Sequence, residues 1–188
     1  MTEAKKECGV VGLGRMGGNL ARQALEKGMR VVGSTRKDAP QEMIDAGLVE
    51  VRSFGDLKER LSPPRAVFLY IPAGPAVDGV LGDLAGEFDE GDVFIDGGNS
   101  YWGDSIRRHR RLKERGIRFV DLGTSGGVEG ARHGACFMAG GEPEAIARVE
   151  PILLDLAVEG GYVHAGPRGR GTLRSSSTTA SSSGCSKP

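Results

Sequence analysis

The stretch Cys8-Gly9-Val10-Val11-Gly12-Leu13-Gly14-Arg15-Met16-Gly17-Gly18-Asn19 decides how the rest of the chain is read. A short apolar run ends in Gly-x-Gly-x-x-Gly, at Gly12, Gly14 and Gly17. A helical pattern follows at once, with Leu20, Ala21, Ala24 and Leu25 on one face and Lys27-Gly28 as its stop. In the order strand, tight turn, helix, each glycine has a task. Gly12 permits the turn, Gly14 lets the backbone approach a pyrophosphate, and Gly17 lets helix and strand pack closely. The free N–H groups and partial positive charge of the helix N-terminus suit a phosphate. The motif alone is weak, because Gly-rich turns are common. Here a second strand-like run, Met29 to Ser34, arrives where a βαβ unit requires it. The expectation is a dinucleotide site.

Working outward, strand-like and helical runs alternate. Strands are expected at Val49-Glu-Val51, Ala66 to Ile71, Asp92 to Asp96, Ile117 to Asp121, Ala135 to Ala139 and Gly161 to His164. Helices are expected at 40–47, from Phe54 to Leu61, from Ala76 to Phe88, from Asp104 to Arg115 and from Glu142 to Leu156. The continuous apolar run Ala66-Val-Phe-Leu-Tyr-Ile71 fits a parallel strand buried on both faces. The fold class is therefore α/β: a doubly wound, mostly parallel sheet of Rossmann type in three αβα layers. The basic helix from Asp104 to Arg115 reads as a solvated face that includes His109, with Ile106 and Leu112 turned inward.

The 188 residues allow one ordinary domain with an appendage. Lys and Arg (25) balance Asp and Glu (25), which gives no case for nucleic acid or an anionic membrane. The first residues run straight into a strand, without a signal peptide, and no apolar stretch is long enough to span a bilayer, so a cytoplasmic protein is expected. Cys8, Cys136 and Cys185 show neither disulfide nor metal spacing; Cys8 and Cys136 read as small buried hydrophobes. No metal is expected.

Three further turns follow strands and should rise on the same edge as the Gly loop. Ser34-Thr35-Arg36 carries no acid to grip ribose hydroxyls, which favours NADP and leaves NAD possible; Asp38 comes later and reads as a helix cap. The alternative is that Arg36 and Lys37 form only a solvated loop. Asp96-Gly-Gly-Asn-Ser100 and Thr124-Ser-Gly-Gly127 offer amide, hydroxyl and backbone N–H groups suited to a polyhydroxylated anion, or are structural Gly turns. His133 and His164 read as solvated, without an identifiable carboxylate partner.

Four stretches carry a resemblance to a known family: Gly12 to Asn19, Ile71-Pro-Ala-Gly74, Phe94 to Ser100, and Val120 to Ala131. The chain resembles the N-terminal cofactor domain of decarboxylating 6-phosphogluconate dehydrogenases, in their shorter-chain group, from about Cys8 to Gly171. The related 3-hydroxyisobutyrate-type dehydrogenases share the Gly loop and a Ser-Gly-Gly turn but lack Asp-Gly-Gly-Asn-Ser. They and a non-catalytic NADP-binding module are the competing readings. The resemblance implies oxidation of 6-phosphogluconate at C3 by hydride transfer to NAD(P)+, loss of CO2 and protonation to ribulose 5-phosphate, in the pentose phosphate pathway. It implies a cofactor held by Gly12, Leu13, Gly14, Arg15, Met16, Gly17, Ser34, Thr35, Arg36, Ile71, Pro72, Ala73 and Asn99. Asn99, Ser125, Gly126 and Gly127 would hold the sugar acid. Full-length relatives are expected to be homo-oligomers.

The match breaks at Thr172. The family continues with a motif that supplies a Lys base and a Glu acid, then a helical domain. This chain reads Thr172-Leu-Arg-Ser-Ser-Ser-Thr-Thr-Ala-Ser-Ser-Ser-Gly-Cys-Ser-Lys-Pro188. By composition residues 172–188 are a disordered tail on a domain of residues 1–171. The tail also reads as the family's own gene in another frame. Sliding each codon back one nucleotide lets Thr178 to Ser182 encode His-Asn-Gly-Ile-Glu, and Ser175 a Lys. Arg174, Ser176 and Ser183 permit only near matches. Ser175 and Ser182 then occupy the expected Lys and Glu positions, and this chain has no catalytic base or acid. The nucleotide sequence decides this: the alternative frame must encode Lys and Glu at those two codons.

Overall fold

The computed structural model describes residues 6–166 and Gly171. The expectations for 172–188, Ser175 and Ser182 among them, lie outside the described residues.

The chain alternates strand and helix: β1 (Glu7–Val11), α1 (Arg15–Glu26), β2 (Arg30–Ser34), α2 (Gln41–Asp45), β3 (Val49–Val51), α3 (Phe54–Glu59), β4 (Ala66–Leu69) and α4 (Pro75–Glu87). It continues with β5 (Val93–Asp96), α5 (Trp102–Lys113), β6 (Arg118–Ser125), α6 (Gly127–His133), β7 (Ala135–Gly141), α7 (Pro143–Leu156) and β8 (Ala157–Gly166). The strands form one sheet in the order β3-β2-β1-β4-β5-β6-β7-β8. All neighbours run parallel except β6 and β7, which are antiparallel. Every residue of β4 and β5 is buried, as continuous apolar runs covered on both faces require.

Two apolar cores sandwich the sheet. Val10, Phe68 and Ile95 pack with Leu20 and Ala24 of α1, Met43 of α2 and Val149 and Leu153 of α7. Their strand neighbours Val11, Val67, Leu69 and Phe94 point to the other face, against Leu57 of α3, Leu81 and Leu84 of α4 and Leu112 of α5. The period-2 alternation of a strand thus assigns residues to the two layers. The strand order turns back on either side of β1, between β2 and β4. The loops after β1 and β4 therefore diverge at the carboxyl edge and leave a crevice there.

Four local readings are corrected. Helix α6 was not expected: Gly127-Val-Glu-Gly-Ala-Arg-His133 holds two glycines, which disfavour an isolated helix. Tertiary contact supplies what propensity lacks, because Arg132 of α6 grips both oxygens of Glu26 on α1 at 2.5 and 2.7 Å. His133 therefore sits on a helix, exposed, with the Glu129 carboxylate 3.8 Å away. Strand β6 runs on through Thr124 and Ser125, which the sequence placed in a turn. Arg108 and His109 of α5 are both 2% exposed and do not belong to a solvated face. Asp38 pairs with Arg52 and caps no helix; the N-cap of α2 is Pro40. Cys8 is buried as expected, and burial pushes its thiol up to about 12, whereas Cys136 is half-buried.

Candidate dinucleotide and substrate site

The Gly loop joins β1 to α1. Gly12 has φ +93°, a left-handed value that favours glycine, and an added Cβ would lie 2.5 Å from the Tyr70 carbonyl oxygen. Its N–H donates to Ser34 O at 2.9 Å, tying the loop to the end of β2. At Gly17 a Cβ would collide with Gly12 O and lie 2.9 Å from Tyr70 Cβ. At Gly14 a Cβ would meet nothing within 4 Å. Two of the glycines are therefore demanded by the protein's own packing. The third faces open space, where only a ligand would need its bareness. Gly14 is also the N-cap of α1, with no side-chain cap and no acidic residue in the first turn, so the helix offers its first N–H groups outward. These observations fit a pyrophosphate at this point.

Two clefts open on this carboxyl edge and share Gly14, Tyr70, Ile71 and Pro72. The larger, about 670 Å³, is also lined by Gly12, Leu13, Ser34, Thr35 and Arg36, all named from the sequence. The smaller, about 440 Å³, is lined in addition by Arg15, Met16, Gly97, Gly98, Asn99 and Thr124. The structure thus brings the Gly loop, the β2 end and the turns after β4 and β5 together around one continuous groove. Among the other expected site residues, Gly17 is buried beneath the loop, and Ala73 is exposed outside the lining of both clefts. Ser125, Gly126 and Gly127 stand at the end of β6 and the start of α6, also outside that lining, while their neighbour Thr124 reaches in.

Several lining residues escaped the sequence reading. Arg52, Ser53 and Phe54 bring the start of α3 to the larger cleft, alongside Ala76 and Val80 of α4. The only signal for Arg52 was its place just past a strand. Tyr70 lines both clefts and its hydroxyl is 3.1 Å from Thr124 Oγ1. Burial drives the Tyr70 phenol far above its usual range, with the Thr124 hydrogen bond opposing, so it stays neutral and hydrogen-bonds without acting as a base.

The Asp96–Ser100 turn is held from beneath. Asp96 is fully buried; its Oδ1 accepts the Gly98 N–H at 3.0 Å and its Oδ2 the Ser100 hydroxyl at 2.7 Å. Arg108 Nη1 donates to Asp96 Oδ2 at 3.0 Å. Asn99 projects above this base, exposed, with φ 57°. Neither cleft shows a nucleophile paired with a base, and among the described residues no His, Cys, Asp and Glu group could hold a metal. The groove can bind and orient; it offers no acid–base pair of its own.

The strand order, the Gly loop over the crevice and the paired clefts define a dinucleotide-binding α/β domain of the dehydrogenase type. Residues 7–166 match the family described as the NAD binding domain of 6-phosphogluconate dehydrogenase, and the chain belongs to that family. The Bacillus subtilis protein YqeC is 45% identical over 171 residues, covering 87% of this chain and 55% of YqeC. The NAD(+)-dependent decarboxylating 6-phosphogluconate dehydrogenase of the same organism is 38% identical over 172 residues, covering 87% and 37%. Plasmodium falciparum 6-phosphogluconate dehydrogenase, solved apo and with NADP+ or 6-phosphogluconate, superposes with a TM-score of 0.82 at 33% identity. That match covers 89% of this chain and 38% of the Plasmodium chain. The chain spans between about a third and about half the length of these relatives.

Proposed function

We propose that this chain is the cofactor-binding part of a decarboxylating 6-phosphogluconate dehydrogenase, with NADP favoured over NAD. The observation that carries the reading is the shared groove. The bare Gly14 and the open start of α1 stand at its centre, the β2 end on one side, and the Asn99 turn on the other. When bound, the nicotinamide would accept a hydride from C3 of the sugar acid. The chain's own residues set the geometry. The first N–H groups of α1 meet the pyrophosphate. Ser34, Thr35 and exposed Arg36 face the adenosine ribose, where a guanidinium suits a 2′-phosphate and no carboxylate lines the cleft to grip ribose hydroxyls. Asp38 is nearby but engaged by Arg52. Ile71, Pro72 and Ala73 border the nicotinamide end. Asn99 meets cofactor and substrate, and Ser125, Gly126 and Gly127 flank the sugar acid. Full-length relatives would act as homo-oligomers in the cytoplasm; among the described residues no helix is long and apolar enough to cross a membrane.

General acid–base groups contribute on the order of 10² to 10⁴ each. With serine at 175 and 182 in place of the base and acid, this chain binds cofactor but turns over negligibly. The test is a titration with NADPH and NADH, then an assay with NADP+ and 6-phosphogluconate. Tighter NADPH binding without product formation is expected. Tighter NADH binding overturns the cofactor preference, and steady turnover overturns the reading of Ser175 and Ser182. A preference for 3-hydroxyisobutyrate over 6-phosphogluconate in binding overturns the substrate.

A further inference from the structure

Arg108 is a guanidinium in the protein interior, 2% exposed, in a stretch whose arginines otherwise face outward. Burying a charge is costly unless its partners are well placed. Here all five N–H donors are used. Nε donates to Asp78 Oδ1 at 3.0 Å, and Nη1 to Asp96 Oδ2 at 3.0 Å and Ser100 Oγ at 2.8 Å. Nη2 donates to the Gly74 carbonyl at 3.1 Å and Asp78 Oδ2 at 3.3 Å. Burial alone would raise the Asp78 carboxyl. The bonds from Arg108 and Arg107 outweigh this and hold it below the ordinary carboxylate range, so the pair stays charged.

The partners explain why the charge is there. Gly74 and Asp78 belong to the turn after β4 and the first part of α4, just beyond Ile71 and Pro72, which line the groove. Asp96 and Ser100 bracket the turn that carries Asn99. Asn99 is the one described residue other than glycine with a positive φ, 57°. Asparagine tolerates that region better than most residues but populates it in the minority, so the turn must be held from outside. Gly97 and Gly98 complete the fit: added Cβ atoms would lie 2.6 Å from the Tyr70 ring and from Ile71 O.

We propose that Arg108 is the positioning residue of this site: it locks the Asn99 turn against the Ile71–Gly74 turn, fixing the two walls between which nicotinamide and substrate meet. A lysine, a point charge on a flexible stem, cannot span two carboxylates, a hydroxyl and a carbonyl with one rigid fork. The proposal rests on the reading that Asn99 touches the cofactor.

The test is a double-mutant cycle on NADPH affinity in the full chain, using Arg108→Lys, Asn99→Ala and the pair, with urea unfolding of each. Arg108→Lys and Asn99→Ala are each expected to weaken binding about tenfold, and the pair by about the same tenfold, because both remove one contact. Arg65→Lys is the control: Arg65 bonds Asp89 and Asp92 below the opposite, amino edge of the sheet. It should lower stability and leave NADPH affinity unchanged. Losses that multiply to about a hundredfold in the pair overturn the proposal, as does an Arg108→Lys protein that binds normally. If Arg108→Lys does not fold, Ser100→Ala replaces it in the same cycle with the same outcomes. An Asn99→Ala protein that binds as wild type overturns the Asn99 reading itself, and the proposal with it, by a different signature.

Discussion

Two loops of the groove are built on different principles. The Gly loop between β1 and α1 is shaped by what its residues lack: Gly12 and Gly17 leave room for the protein's own packing, and Gly14 borders open space in both clefts. The Asp96–Ser100 turn is shaped by what its residues hold, a buried carboxylate gripped by Ser100 and by Arg108. The first is a steric fit, to Gly12 O within the loop and to Tyr70 just past β4. The second recruits Arg108, which reaches back 30 residues to Asp78 and 34 to Gly74. A steric fit admits no added atom at Gly12 or Gly17. A polar network tolerates small losses but fails in its electrostatics.

The largest effect should come from Gly17→Ala. Its Cβ meets the Gly12 carbonyl and Tyr70 Cβ, neither of which can step aside without moving the loop. We expect a loss of about 2–4 kcal/mol in urea unfolding together with loss of dinucleotide binding. Gly14→Ala separates the two functions of the loop. Its φ of −73° suits any residue and its Cβ touches no protein atom. Stability should stay within about 0.5 kcal/mol, while NADPH affinity falls tenfold or more, as calorimetry would show. If both variants lose stability equally, Gly14 is a structural glycine and the contrast within the loop disappears.

Arg36→Ala should weaken NADPH more than NADH, shifting their ratio about tenfold, the size expected of one hydrogen bond to a charged group. Equal losses would make Arg36 part of the solvated loop. The smallest effect concerns pH. Asp78 is held below its ordinary range, so its bond to Arg108 stabilises the fold above that range and is lost as pH falls through the lowered value. The stability gap between wild type and Asp78→Asn should therefore shrink as pH drops below about 4. A gap that widens in acid would contradict the ion pair.

This contrast also governs what could be read from residues alone. The Gly loop, β4 and β5 were legible because spacing and unbroken apolar runs encode them locally. Helix α6 was not, because its glycines disfavour a helix and the Arg132–Glu26 contact that supports it spans 106 residues. The α5 arginines were misread because three of the four in sequence, Arg107, Arg110 and Arg111, do face solvent, and only the fold brings Asp78 and Asp96 to Arg108. Within the candidate site, the Gly loop, Ser34 to Arg36, Ile71, Pro72, Asn99 and the turn that holds Thr124 were found, and Arg52, Phe54 and Tyr70 were missed. No local pattern marks Arg52 or Phe54, which the fold brings to the cleft from the end of β3 and the start of α3.

The central claim is that this chain builds a dinucleotide site from its own residues. Isothermal calorimetry of the chain with NADPH tests it directly. The account predicts saturable binding at one site per chain; the absence of saturable heat up to millimolar NADPH, with the chain folded, would contradict it.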